Sequence, residues 1–175
     1  CNFSCQYCYL KYFSKFKKPY KHLTLDQINL LVDQAKELGV ANITFTGGEP
    51  LLIPNIWEIF RYIKSQGLGL CLATNGSLMS TYANIIEKYM DSLQISLDCL
   101  SEKIFHDITK AGVYYSSVLS FIAQIPNLEM VKASVNIVVT KANYNNIPIL
   151  VNHLTKLGIQ SNDINLSPLL IPFIG

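Results

Sequence analysis

The 175-residue sequence predicts a single α/β domain in which parallel strands alternate with helices and curve toward a partial, TIM-like barrel. Three observations predict it. Period-two apolar runs alternate with amphipathic helical segments along the whole chain, several strands keep one polar face, and polar clusters recur where strands end. Half of the residues are apolar, which suffices for one packed core but not for two comfortable ones.

The first helix is predicted from Thr24 to Leu38. Ile28, Leu31, Val32, Ala35 and Leu38 share a stripe, Thr24 and Gln27 stand at capping-box spacing, and Gly39 follows as a C-terminal cap. A strand from Asn42 to Thr46 then runs into Gly47-Gly48-Glu49-Pro50. After Asn55 a second helix aligns Ile56, Phe60 and Ile63 and stops at Gly67. Leu68 to Ala73 reads as a strand leading to Thr74-Asn75-Gly76, followed by a helix near Thr81 to Met90 and a strand from Leu93 to Asp98. Helical material from Ser101 to about Gln124, a strand from Met130 to Val139, a helix from about Asn146 to Leu157 and a last strand around Ile164 to Ser167 complete the series.

Strands separated by helices of this length imply crossover connections and a parallel sheet, which an open doubly wound sheet or a barrel would both satisfy. The polar strand faces favour the barrel. Thr44 with Thr46, Gln94 with Ser96 and Asp98, and Ser134 with Asn136 lie opposite Ile43, Phe45, Leu93, Ile95, Leu97, Val135 and Ile137. If the apolar faces pack on outer helices, the polar faces line an interior that must be hydrated or hold a ligand. A sheet open to water on one side is the competing arrangement.

The net charge of +2 conceals an uneven distribution: Lys11, Lys15, Lys17, Lys18 and Lys21 crowd one stretch, and the remainder has nine basic against twelve acidic residues. No broad nucleic-acid footprint results, and the basic stretch reads as a solvated loop or a lid over substrate. No run is long enough to span a bilayer, and the N-terminus has no secretory pattern, so the expectation is a soluble cytoplasmic protein with no membrane partner. The chain opens directly on Cys1 and ends in an apolar, proline-punctuated tail. Residues 1–175 are therefore expected to form a domain incomplete at both ends, its first strand truncated.

Cys1-Asn-Phe-Ser-Cys5-Gln-Tyr-Cys8 carries the strongest chemical signal. Three thiols within eight residues suit a metal in a reducing compartment better than a disulfide framework. Thiolates are the ligands that iron-sulfur clusters take, and three of them on a four-iron cube leave one iron open, as catalytic metal sites require. Zinc would need a fourth ligand, for which His22, alone in the basic stretch, is the nearest candidate. His22, His106 and His153 form no cluster in sequence.

Cys-x3-Cys-x2-Cys with an aromatic before its third cysteine, followed at the end of the next strand by Gly47-Gly48-Glu49-Pro50, resembles the radical S-adenosylmethionine superfamily over essentially the whole chain. The resemblance implies a partial six-unit β/α barrel and a 4Fe-4S cluster on Cys1, Cys5 and Cys8. It also implies that the open iron chelates the methionine part of S-adenosylmethionine. An external electron donor would reduce the cluster, and cleavage would give methionine and a 5'-deoxyadenosyl radical that takes a hydrogen atom from substrate.

The site positions follow from the same resemblance. Gly47 and Gly48 would let the backbone approach the cofactor, Glu49 would accept from its ammonium or brace the loop, and Tyr7 would pack near the adenine. Ser96 and Asp98 would address ribose hydroxyls or the methionine part. Thr74 and Asn75 reach the same rim, or simply form a turn. His106-Asp-Ile-Thr-Lys110 resembles a segment of the branch containing anaerobic sulfatase-maturating enzymes and ribosomal-peptide maturases. Lys110 would there replace an arginine that pairs with the cofactor carboxylate, unless it is a surface lysine. Leu166 would lie under the adenine, although strict alternation turns Asn165 and Ser167 inward instead.

Cys71 reads as inert packing in an apolar strand. Cys99 is expected at the barrel mouth, as a catalytic hydrogen-atom donor or as a small turn residue. The His-Asp segment points to a peptide or protein substrate. A small molecule, as for the cyclase of molybdenum-cofactor synthesis that the motifs also resemble, and a non-catalytic iron-sulfur electron-transfer module are the alternatives.

Overall fold

The computed structural model describes residues 1–8 and 23–169. The basic stretch Lys11 to Lys21, His22 and the end of the tail lie outside the described residues. Among the described residues, five strands form one parallel sheet: β1 (Asn42–Phe45), β2 (Gly69–Thr74), β3 (Ser92–Ser96), β4 (Lys132–Val139) and β5 (Ile164–Pro168). Between or before them lie α1 (Leu25–Glu37), α2 (Ile56–Ser65), α3 (Met79–Tyr89), α4 (Glu102–Thr109), α5 (Tyr115–Ile122) and α6 (Ile147–Lys156).

Strand order follows chain order, and each adjacent pair is parallel. A doubly wound sheet reverses its order at a switch point; this one never does. The sheet is thus a curving partial barrel, with one face against helices and the other facing inward.

Register determines which side chains share a face. Leu72, Leu93, Ala133 and, one pleat on, Ile95, Val135 and Ile164 are paired across the sheet. Leu70, Leu72, Leu93, Ile95, Val135 and Ile137 are fully buried in one core with Ile59, Phe60, Ile63, Ile86, Val118 and Leu154 from the helices. The opposite face carries Thr44 beside Cys71 and Ser92, and Ala73 beside Gln94 and Ser134. These inward residues line cavities of about 380 and 430 Å³. The polar strand faces therefore enclose space, as the sequence pattern requires.

The capping box of α1 forms in both directions, Gln27 N donating to Thr24 Oγ1 and Thr24 N to Gln27 Oε1. Its expected apolar stripe is only partly used: Val32 is buried, whereas Leu31 and Leu38 are 51% and 83% exposed. The helix meets α2 through contacts that include a 2.7 Å bond from the Tyr62 hydroxyl to Asp33.

The helical run expected from Ser101 to Gln124 is two helices. Thr109 Oγ1 donates back to Phe105 O at 2.7 Å and accepts from Ala111 N, Lys110 takes a left-handed conformation, and His106 Nδ1 accepts from Gly112 N. Side-chain competition for backbone groups ends α4 here. The break frees carbonyls at the end of α4, and the cysteine segment uses them. Likewise β4 begins at Lys132, leaving Met130 exposed. None of the helices among the described residues is long and apolar enough to cross a membrane.

Ile95 is fully buried at the centre of the sheet, beside Gly76. Ile95→Ala is expected to lower the unfolding free energy by about 2–5 kcal/mol, read from denaturant titration; a loss below the Ile→Val range would show that the strand core is not packed as described.

Candidate active site

Cys1, Cys5 and Cys8 line one cavity, together with Phe3, Tyr7, Thr46, Gly47, Gly48, Thr74, Asn75, Gln94, Ser96, Asp98 and Asn136. The cavity sits where the strands end, as in other barrels of this kind. Among the described residues no three His, Cys, Asp or Glu side chains converge on a point that would hold a single ion. Three thiols on a four-iron cluster would each bind a different iron rather than one shared ion, and the three line one cavity.

The cysteine segment is held by groups other than its thiols. Ser4 N donates to Thr109 O at 2.9 Å and Gln6 N to Ile108 O at 2.8 Å, so the segment satisfies carbonyls at the C-terminal end of α4. Phe3 packs edge-on against Phe105 and tilted on Tyr114, at 5.8 and 5.7 Å between ring centres. Asn2 donates to Ser77 Oγ at 2.8 Å and accepts from Asn75 Nδ2 at 2.9 Å; the same Asn75 amide lies 3.9 Å from Cys1 Sγ.

Gly48 has a steric reason to be glycine that the sequence reading missed. A Cβ there would stand 3.1 Å from Cys1 Cβ and 3.2 Å from Cys1 N. Gly47, at φ +126°, has open space but a backbone that side chains rarely adopt. The Gly-Gly turn thus cradles Cys1 while lining the cavity.

Glu49 braces its own loop and the turn after β2. Its Oε1 accepts from Leu51 N at 3.1 Å and Thr74 Oγ1 at 2.8 Å, and its Oε2 from Asn75 N at 2.8 Å. Thr74 is occupied in turn by Gly76 N, and Asn75 Oδ1 accepts from Ser77 N at 2.9 Å. Thr74 and Asn75 are therefore both a built turn and part of the cavity rim.

Asp98 joins three elements. One carboxylate oxygen accepts from the Tyr7 hydroxyl at 2.5 Å, and the other from Val138 N at 2.8 Å. Burial pushes its carboxyl above the ordinary range, against the effect of these two bonds. Tyr7 is raised as well, first by burial and then by the Asp98 charge. Burial, with the charges of Asp98 and Cys8, pushes the Cys5 thiol up to about 11. In the metal-free chain Cys5 is thus protonated at neutral pH and must release a proton to ligate.

Ser96 faces the cavity and is paired in register with Asn136, whose Oδ1 accepts from Ser167 Oγ at 2.9 Å. Three expected positions are not brought here. Leu166 pairs with Ile137, which belongs to the helix-covered face, and is 52% exposed; the register has no bulge, so Ser167 faces inward instead. Lys110 is an exposed left-handed cap of α4, outside the cavity lining. Cys99 is fully buried, its thiol donating to Ser101 O at 3.4 Å and raised to about 11 by burial first, rather than standing open at the mouth.

Two outcomes test this frame. Glu49→Ala would strand buried donors and cost about 1–3 kcal/mol, measured by thermal or denaturant unfolding. Gly48→Ala would displace Cys1, so reconstituted protein should carry less iron per chain than wild type; equal iron content would contradict the cradle.

The Radical SAM superfamily model matches residues 1–153. A probable GTP 3',8-cyclase of Methanococcus maripaludis is 31% identical over 160 residues, covering 90% of this chain and 53% of the relative. A GTP 3',8-cyclase of Clostridium perfringens is 31% identical over 173 residues, covering 97% of this chain and again 53% of the relative. The chain therefore spans about half the length of these curated relatives. Among solved structures, anSMEcpe with bound AdoMet superposes with a TM-score of 0.80 at 17% identity, over 100% of this chain and 50% of that one. Streptococcus suis SuiB bound to its precursor peptide SuiA gives 0.78 at 21%, over 97% of this chain and 37% of that one. At these identities the structures establish the fold alone. With the family match extending through the cysteine segment, the glycine turn and four of the five strands, the chain belongs to the radical SAM superfamily, enzymes that use a 4Fe-4S cluster and S-adenosylmethionine.

Proposed function

We propose that Cys1, Cys5 and Cys8 hold a 4Fe-4S cluster against the polar cavity, and that the cavity binds S-adenosylmethionine for reductive cleavage. The observation that carries this reading is the single cavity shared by three thiols and an inward row of uncharged polar side chains. When bound, the cluster and cofactor supply a one-electron scission that yields methionine and a 5'-deoxyadenosyl radical able to take hydrogen from substrate. The chain's own residues bind and orient. Gly47 and Gly48 present backbone at the cavity wall, and Gln94, Ser96 and Asn136 offer hydroxyl and amide groups to ribose or the methionine part. Tyr7 walls the side nearest Asp98. An external electron donor and a reducing, intracellular setting belong to the same proposal.

For the substrate we favour a small molecule of nucleotide type. Of the segment His106 to Lys110 that points to a peptide, neither the His-Asp pair nor Lys110 lines the cavity, and the relatives matched at 31% identity are named as cyclases of a nucleotide. A peptide or protein substrate is the second reading. The openness of the inward face along β1 and β5, where Thr44 and Asn165 are exposed, favours it by leaving room for an extended chain.

Anaerobic reconstitution, reduction and chromatographic assay test the core reading. Wild type should form 5'-deoxyadenosine, single Cys1, Cys5 or Cys8→Ala variants should fall to background, and Cys99→Ala should match wild type. Absence of 5'-deoxyadenosine from protein shown to carry four irons would contradict it. Deuterium carried into 5'-deoxyadenosine from labelled nucleoside triphosphate supports the first substrate reading; deuterium arriving only from a labelled peptide encoded beside the gene supports the second.

A further inference from the structure

Asn143 is fully buried and does not itself line the cavity. Its Nδ2 donates to Asp98 O at 2.9 Å and to Val138 O at 2.8 Å. Its Oδ1 accepts from Thr140 N at 2.7 Å and from Thr140 Oγ1 at 3.1 Å. Both amide protons and the amide oxygen are thus satisfied, by groups in two neighbouring stretches: the segment after β3, and the end of β4 with the turn that follows it.

The same two segments meet again through the Asp98 carboxylate, which accepts from Val138 N. The other oxygen of that carboxylate holds the Tyr7 hydroxyl, between Cys5 and Cys8. A continuous set of hydrogen bonds therefore runs from Asn143 through the Asp98 backbone and carboxylate to the segment that carries the cysteines. The Asp98 carboxylate is the only member of this set to combine a bond to the cysteine segment with one to β4, so its placement controls both.

We propose that Asn143 is a positioning residue for cofactor binding: its buried amide fixes the Asp98 backbone, and thereby the grip of Asp98 on Tyr7 and the cysteine segment. The identity of the cofactor rests on the function proposed above; the tether itself does not. Buried amides that satisfy all their partners hold neighbouring loops in one arrangement, and losing such support typically weakens a metal or cofactor site by about 10- to 100-fold. Aspartate at 143 keeps the size and the acceptor but removes both donors, placing an oxygen against the carbonyls of Asp98 and Val138.

Hydrogen exchange of the metal-free protein, followed by S-adenosylmethionine binding to the reconstituted protein, tests the tether. Asn143→Asp should speed exchange by about tenfold in residues 1–8 as well as in 97–101 and 138–144, and should weaken binding by about tenfold. Leu154→Ala, in the fully buried core of α6, serves as a control for general destabilisation and should leave residues 1–8 and the binding affinity unchanged. If Asn143→Asp does not fold, Asn143→Ser, which keeps one donor, carries the same comparison. Unchanged exchange in residues 1–8, or an equal effect from Leu154→Ala, would overturn the proposal. Loosened residues 1–8 in a protein whose wild type binds no S-adenosylmethionine would support the tether and overturn the cofactor reading instead.

Discussion

Three thiolates share a cluster at less entropic cost when the chain between them is already held in shape, and an eight-residue segment has no core of its own to impose one. Its shape is borrowed. Two backbone bonds to the carbonyls of Ile108 and Thr109, an aromatic contact between Phe3 and Phe105, and the bond from Tyr7 to Asp98 fix it from three sides. None of these contacts is made through a thiol. The ending of α4 at Lys110 is a necessary part, because a helix continuing to Gln124 would consume the carbonyls that receive the segment.

The polar residues of the site divide by burial. Glu49, Thr74, Asp98 and Asn143 are buried and hydrogen-bonded within the protein, Thr74 and Asp98 also lining the cavity, while Gln94, Ser96 and Asn136 line it with more surface open. Buried polar groups must be paired, and a carboxylate especially so, which makes Glu49 and Asp98 organisers of loops. The inward uncharged groups can exchange water for ligand at little cost. A cofactor carrying both an amino acid and a nucleoside suits such a wall, since it presents many donors and acceptors over a short length.

Much of this was legible in the sequence. The alternating β/α rhythm, the polar strand faces and the three cysteines rest on local periodicity and spacing, which the folded chain obeys. What was not legible depends on long-range geometry. Leu166, by contrast, was carried by likeness against the alternation visible in the sequence, and β5 keeps that alternation, placing it on the face of Ile137. Lys110 and Cys99 were placed by likeness to a motif, whereas the turn after α4 and the depth of the β3 loop decide where they sit. Asn143 escaped notice altogether: an asparagine in a Lys-Ala-Asn-Tyr-Asn-Asn run looks like any loop residue, and only pairing across 45 positions to Asp98 reveals its work. The split of the Ser101 to Gln124 run could have been suspected from Thr109 and Gly112, both poor helix-interior residues.

The central proposal is narrow: three sulfurs would bind the cluster, and one iron would be left for the cofactor. Mössbauer spectroscopy of the protein reconstituted with iron-57, recorded with and without S-adenosylmethionine, addresses that claim directly. One iron in four should change its isomer shift when the cofactor is added, with the other three unaltered. Four irons that all ignore the cofactor, or a centre with no cubane signature, would contradict it.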